Sequence, residues 1–252
     1  MPISGNALVT GAAKRIGRAI AFALARDGWN VAVHCNRSRV EAEQTARDLT
    51  VLGVRAVVVQ GDLSEVETAA KLLRDSALQL GTISCLVNNA SMFEYDQISS
   101  LDAVLWERHF NVNLRAPLWL AKEFAQRLPQ DASGCVINLV DQKVFNLNPD
   151  FLSYTLTKVA LKGATQALAM ALAPRIRVCA VAPGITLLSG QQSEANFSRA
   201  HLETPLGKSS SAEDIAEAVR YLVRSSSVTG ETLLVDGGQH LWGRRRDVQF
   251  DQ

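Results

Sequence analysis

Ala7-Leu8-Val9-Thr10-Gly11-Ala12-Ala13-Lys14-Arg15-Ile16-Gly17 is the stretch that decides the fold. A short apolar run enters a turn of small residues, and apolar residues at helical spacing follow from Ile16 to Asp27. A strand that turns directly into a helix leaves the N–H groups of the helix N-terminus facing outward. Together with the helix dipole they favour an anion such as a pyrophosphate.

Working outward, the same alternation repeats. Further β-rich runs are Val31-Ala32-Val33, Ala56 to Val59, Leu86-Val87, Val136 to Leu139, Val178 to Val181 and Leu233-Leu234-Val235. Several are continuously apolar, as parallel strands covered on both faces are. Helical patterns lie between them at Arg39 to Leu52, Glu65 to Leu80, Asp102 to Leu128, Tyr154 to Ala173 and Ala212 to Arg224. This reading predicts an α/β fold: a single-domain, Rossmann-type, doubly wound parallel sheet of about seven strands, with helices on both faces. The 252 residues suit one such domain, 1–252, and no repeat or linker divides them. Residues 185–208 follow a strand without clear periodicity and are expected to form a substrate lid. Arg244-Arg245-Arg246 reads as a solvated basic tail without a role.

Composition removes several function classes. Lys and Arg number 26 against 25 Asp and Glu, a net charge of +1, so no overall field draws the chain to nucleic acid or to an anionic membrane. The first residues lack the basic and apolar regions of a signal peptide, and no apolar run approaches the ~20 residues of a membrane span. A cytoplasmic protein with a small-molecule substrate is expected. Cys35, Cys85, Cys135 and Cys179 lie far apart in apolar stretches with no metal-ligand spacing, which predicts buried thiols and no metal site.

At the end of the second strand, NAD enzymes typically carry an acid that pairs with the ribose hydroxyls. Here the chain reads His34-Cys35-Asn36-Arg37-Ser38, with no acid, a fixed cation, and hydroxyl and amide donors. Those groups suit a 2′-phosphate that a carboxylate would repel, so NADPH is the expected cofactor. Tyr154 and Lys158 are four residues apart on a helix and therefore share a face. A phenol is a poor acid–base catalyst near neutral pH unless a neighbouring ammonium stabilises its phenolate.

With these motifs in hand, the chain resembles the short-chain dehydrogenase/reductase family. The likeness runs from Ala7 through Pro183-Gly184 and Val228-Thr229-Gly230 to Asp236-Gly237-Gly238. It implies a cofactor site built from Gly11, Arg15, Ile16, Gly17, His34, Asn36, Arg37, Ser38, Asp62, Leu63, Asn89, Ala90, Ser91, Tyr154, Lys158, Pro183 and Gly184. Arg15 stands where the family usually has its middle glycine, and Ser91 where it has the last glycine of N-N-A-G. Tyr154-Thr155-Leu156-Thr157-Lys158 matches the family's Y-x-x-x-K, with Lys158 also holding the nicotinamide ribose, and Asn113 matches its proton-relay asparagine. The family's commonly tetrameric assembly makes a homotetramer the expected state.

One position separates this chain from the wider family. Thirteen residues before the tyrosine, where a serine normally polarises a carbonyl, stands Asp141. An ionised carboxylate there would oppose the negative charge that grows on a ketone oxygen. Reduction of a C=N bond instead requires a proton on nitrogen, which a protonated Asp141 or an Asp–Tyr relay supplies. In this feature, in residues 10 to 15, in His34 with Arg37-Ser38 and in Asn89-Ala90-Ser91, the chain is similar to the pteridine reductases. That likeness implies catalysis by Asp141, Tyr154, Lys158 and Asn113, and a dihydropteridine of the dihydrobiopterin, dihydromonapterin or dihydrofolate class held by Ser91, Phe93, Asp141, Tyr154 and Leu188. Phe93 would stack the pterin against the nicotinamide. Leu187 to Gln192 carries no pterin signature. A carbonyl or other imine reductase, and an inactive dinucleotide-sensing protein, are the alternatives.

Overall fold

A computed structural model describes residues 5–188 and 192–250. Seven strands form one parallel sheet: β1 (Asn6–Val9), β2 (Asn30–Cys35), β3 (Ala56–Gln60), β4 (Cys85–Asn88), β5 (Gly134–Leu139), β6 (Ile176–Pro183) and β7 (Thr232–Val235). They lie side by side in the order β3-β2-β1-β4-β5-β6-β7. The chain winds outward from β1 in one direction, then returns to β4 and winds in the other. The sheet therefore opens between β1 and β4 at the carboxyl ends of the strands, the place where such folds take ligands.

Because strand side chains alternate, the inner strands supply both cores. Ala7, Val9, Val31, Val33 and Val87 face α1 (Arg15–Arg26), α2 (Arg39–Thr50) and α8 (Ala212–Arg224). Leu8, Ala32, Leu86, Val136 and Val178 face α3 (Thr68–Leu80), α5 (Ala116–Arg127) and α6 (Leu152–Leu172). Burial on both sides explains why these runs are continuously apolar.

The expected helix from Asp102 to Leu128 divides into α4 (Ala103–Phe110), a π-helical turn over Asn111–Arg115, and α5. The extra residue in that turn brings Asn113, which is 1% exposed, toward the site. The segment 185–208, which reads as aperiodic in sequence, contains α7 (Glu194–Leu202), capped by the Ser193 hydroxyl; residues 189–191 lie outside the described ones. One expectation needs correction: the basic cluster is not a solvated tail. Arg246 bonds the carboxylate of Asp150, itself 1% exposed, and Arg244 bonds Glu203, so the chain end folds back over the carboxyl side of the sheet.

Candidate active site

The cofactor end is built on backbone approach. The Thr10 hydroxyl accepts the N–H groups of Asn89 and Ala90, each at 2.9 Å, and the Asn89 amide donates to Thr10 O at 2.8 Å. This ties the turn after β1 to the one after β4. A Cβ on Gly17 would lie 2.2 Å from Gly11 O and 2.5 Å from Asn89 Nδ2, so only glycine lets the helix come so near the turn. Arg15 occupies left-handed backbone, φ 56°. An arginine there costs roughly 1 kcal/mol of strain where glycine would cost none. No side chain caps α1 among the described residues, which leaves its first N–H groups available to an anion.

His34 is wholly enclosed. Its Nδ1 accepts the Gly11 N–H at 3.1 Å and its Nε2 donates to Gly61 O at 3.0 Å, and burial lowers its pKa to about 4. A neutral ring thus clamps the ends of β1, β2 and β3 together. Around this clamp opens a cleft of about 600 Å³. Gly11, Arg15, Ile16 and Gly17 line one side; Asn36, Arg37, Ser38, Asp62 and Leu63 line the adenosine side; Asn89, Ala90 and Ser91 line the floor toward β4. Arg37 has no hydrogen bond or ion pair to another described residue, while Asp62 is held by the N–H of Ser64, which keeps its carboxyl below the usual range. Arg15 Nη1 reaches across to Leu188 O at 3.0 Å.

The chemical end forms where β5 stops. Asp141 Oδ1 accepts the N–H of Lys143 at 2.8 Å, capping a 3₁₀ turn over Gln142–Phe145, and Oδ2 accepts the Tyr154 hydroxyl at 2.7 Å. Burial raises the Asp141 pKa, opposed chiefly by these two hydrogen bonds. Lys158 lies one turn after Tyr154, donates to Leu139 O at 2.8 Å, and is lowered by burial to about 8. Burial first, and the charge of Asp141 second, push the Tyr154 pKa well above its usual value, which favours the neutral phenol.

Phe93 stacks on Phe151 at 4.2 Å between centroids and meets the Tyr154 ring at 79°. With Asp141, Tyr154 and Gly184 it walls a cavity of about 120 Å³. Leu187 lines this cavity, whereas Leu188 turns its carbonyl to Arg15. Pro183 ends β6 opposite Val235. Asn113 accepts Met92 N–H and the Ser91 hydroxyl on Oδ1 and donates to Met92 O, fixing the loop that carries Phe93. Sequence reading missed Lys143, Asp150, Arg246 and Asp247; the last two reach the cavity from the chain end, and no periodicity marks them.

The comparisons agree with this construction. A family model for short chain dehydrogenase matches residues 5–198. An uncharacterized oxidoreductase of Methylorubrum extorquens is 35% identical over 92% of this chain and 96% of its own. The 3-oxoacyl-(acyl-carrier-protein) reductase FabG of Staphylococcus aureus is 29% identical over 96% of this chain and all of its own. Among solved structures, FolM alternative dihydrofolate reductase 1 of Brucella suis with NADP is 45% identical, with a TM-score of 0.93 over 97% of this chain and 98% of that one. The Brucella canis protein of the same description, also with NADP, gives 45% and 0.92 over 95% of both chains. A glycine turn feeding α1, Tyr154 and Lys158 on α6, and a family match over most of the length leave one assignment: the chain belongs to the short-chain dehydrogenase family.

Proposed function

We propose that this protein reduces a C=N bond of a dihydropteridine with NADPH. The observation that carries the reading is a buried carboxyl, Asp141, hydrogen-bonded at 2.7 Å to the catalytic-position tyrosine in a cavity walled by Phe93. The chain is an NADPH-dependent oxidoreductase. The cleft fits that cofactor, since Gly17 leaves room that any Cβ would fill, and among the described residues no side chain caps α1, Arg37 beside Ser38 has no hydrogen bond or ion pair, and no acid holds the ribose position. Arg15 and Arg37 would take the phosphates. Lys158 and Tyr154 would hold the nicotinamide ribose, and the bound cofactor supplies the hydride.

The rest of the chemistry belongs to side chains. Burial keeps Asp141 protonated to higher pH than an exposed carboxyl, so the Asp141–Tyr154 pair holds a transferable proton in the cavity. Tyr154 Oη gives its proton to the substrate nitrogen and regains one from Asp141 Oδ2. Phe93 presents a ring face to the flat heterocycle, and Asn113 fixes the loop beneath it. The FabG relatives favour a ketoreductase as the second reading. Asp141 weighs against it, because this position lacks the hydroxyl that polarises a carbonyl, and the carboxylate left once Asp141 gives up its proton would repel the developing alkoxide. Mixing protein and NADPH with a dihydropterin or with a simple ketone, and following the absorbance of reduced nicotinamide, separates the two. Turnover of the ketone alone overturns the dihydropteridine reading.

No helix among the described residues is long and apolar enough to cross a membrane, and the four cysteines are unpaired and buried. These facts support a cytoplasmic enzyme of small molecules. Exposed Trp119 on α5 and Leu156, Val159 and Met170 on α6 support association into a homotetramer. Light scattering that finds a stable, active monomer overturns the tetramer.

A further inference from the structure

A lysine buried in an enzyme core is costly unless its ammonium finds partners. Lys143 is 3% exposed, and its Nζ donates to Asp150 O at 2.6 Å and pairs with Asp247 Oδ2 at 3.1 Å. The same residue's backbone N–H holds Asp141 Oδ1. Its ammonium also lies 5.3 Å from the centre of Phe151, the ring on which Phe93 stacks. Asp247 comes from the far end of the chain and is fixed there in turn. Its N–H donates to Asp150 Oδ2 at 2.7 Å, and Arg246 grips the same carboxylate through Nε and Nη2, each at 2.8 Å.

Resting on the proton-transfer pair described above, we propose that Lys143 is a positioning residue for Asp141 and Tyr154, and that Asp247, delivered by the C-terminal segment, is the counter-charge that completes the active site. Anchoring the Lys143 side chain at Asp150 and Asp247 holds the 3₁₀ turn in the place where its N–H meets Asp141. That N–H occupies Oδ1 and leaves Oδ2 for the tyrosine. The ion pair also sets the local charge. Facing the Asp141–Tyr154 pair are Lys143 from the turn, Lys158 from α6, Asp247 from the C-terminal segment, and His109 of α4, whose ring is 6.4 Å from that of Tyr154. Asp150 and Arg246 neutralise each other one step further out. The positive charge of Lys143 favours ionised Asp141, and the negative charge of Asp247 disfavours ionised Tyr154, so removing either one leaves the other uncompensated.

The two halves of the pair must then have opposite effects, which a merely structural contact would not. The experiment follows the carboxyl resonance of Asp141 in protein labelled with ¹³C-aspartate, assigned by its loss in Asp141→Asn. It is joined to the pH dependence of kcat with dihydropterin. Asp247→Asn should move the titration and the alkaline limb of kcat to lower pH, and Lys143→Met to higher pH, each by about one unit. The double variant should return toward wild type. Shifts in the same direction, or none in either variant, overturn the proposal. Asp247→Asn replaces a partly exposed group with an isostere, so it keeps the test open should Lys143→Met fail to fold, and an unmoved titration in that variant alone overturns the role of Asp247. A wild type that turns over no dihydropterin, yet shows opposite carboxyl shifts, rejects the substrate and retains the positioning role.

Discussion

Replacing Asp141 separates catalysis from stability, because the two should move in opposite directions. Asn at this position keeps the shape and can still accept the Lys143 N–H, but it cannot carry a proton to Tyr154. Burial alone keeps the tyrosine protonated, so it can donate once but has no acid behind it to restore the proton. A lost proton donor costs about 10²- to 10⁴-fold in rate, or about 2.7–5.5 kcal/mol of barrier. The upper half of that range is expected for dihydropterin turnover. Stability follows the other sign. The folded pKa of Asp141 is raised, so its contribution to folding is full below the unfolded pKa and is lost as pH rises through the folded value. Asp141→Asn should therefore melt higher than wild type near pH 8 and lose that gain near pH 4, at about the unfolded pKa. Asp141→Ser restores a hydroxyl donor, and ketone reduction should rise from little or nothing while NADPH affinity barely changes. Steady-state assays on both substrates, with melting curves across pH, check all arms. Full dihydropterin activity in Asp141→Asn would refute the relay, and a lower melting temperature at pH 8 would show that the carboxylate stabilises the fold.

Three further substitutions probe the remaining walls. Arg37→Asp should weaken NADPH by about 10- to 100-fold and leave NADH nearly unchanged, by loss of a charge-assisted contact to the 2′-phosphate; titration of both cofactors reads the outcome, and an unchanged NADPH affinity removes Arg37 from the site. Phe93→Ala should raise the dihydropterin KM about 10-fold with little effect on cofactor affinity, since stacking is lost only on the substrate side; an unchanged KM would make Phe93 packing for Phe151 alone. Gly17→Ala forces a Cβ to within 2.2 Å of Gly11 O. The turn must shift at a cost of about 1–3 kcal/mol, so the melting temperature should fall and NADPH binding weaken at least 10-fold; wild-type binding would mean that the turn tolerates the move.

The sheet was legible because its signal is local and repeated. Each strand is a short apolar run followed by a helical pattern, and all seven runs became strands with ends shifted by only a few residues. The cofactor end was legible for the same reason, since the residues that line it lie in short segments at strand ends. What escaped depends on contacts remote in sequence or on backbone angles. Arg15 was visible as a substitution, but its left-handed φ comes from the turn that Gly11, Gly17 and Asn89 impose. Helix α7 has a weakly amphipathic sequence and is marked mainly by its Ser193 cap. Arg246 and Asp247 reach Asp150 and Lys143 across roughly a hundred residues of chain, a pairing that no periodicity announces. Spacing shows that Lys158 is near Tyr154, but not that burial and the charge of Asp141 raise the pKa of the phenol.

These misses share a cause that bears on how the site works. A serine in place of Asp141 would bring no charge, and its surroundings could be apolar. A carboxyl buried there must be solvated by the protein, and each group that does so needs a partner of its own. Asp141 takes an N–H from Lys143; the ammonium of Lys143 takes Asp247 and the Asp150 carbonyl; the Asp150 carboxylate takes Arg246. From Lys143 outward charge alternates along this path until Arg246, whose side chain is half exposed, reaches water. The path needs both a 3₁₀ turn after β5 and the end of the chain, so the acid at position 141 and the folded-back C-terminal segment form one device. Transplanting an aspartate alone into a serine-bearing relative should then give a raised carboxyl pKa and poor folding, without proton transfer. Carrying over the Lys143, Asp150, Arg246 and Asp247 set with it should recover both.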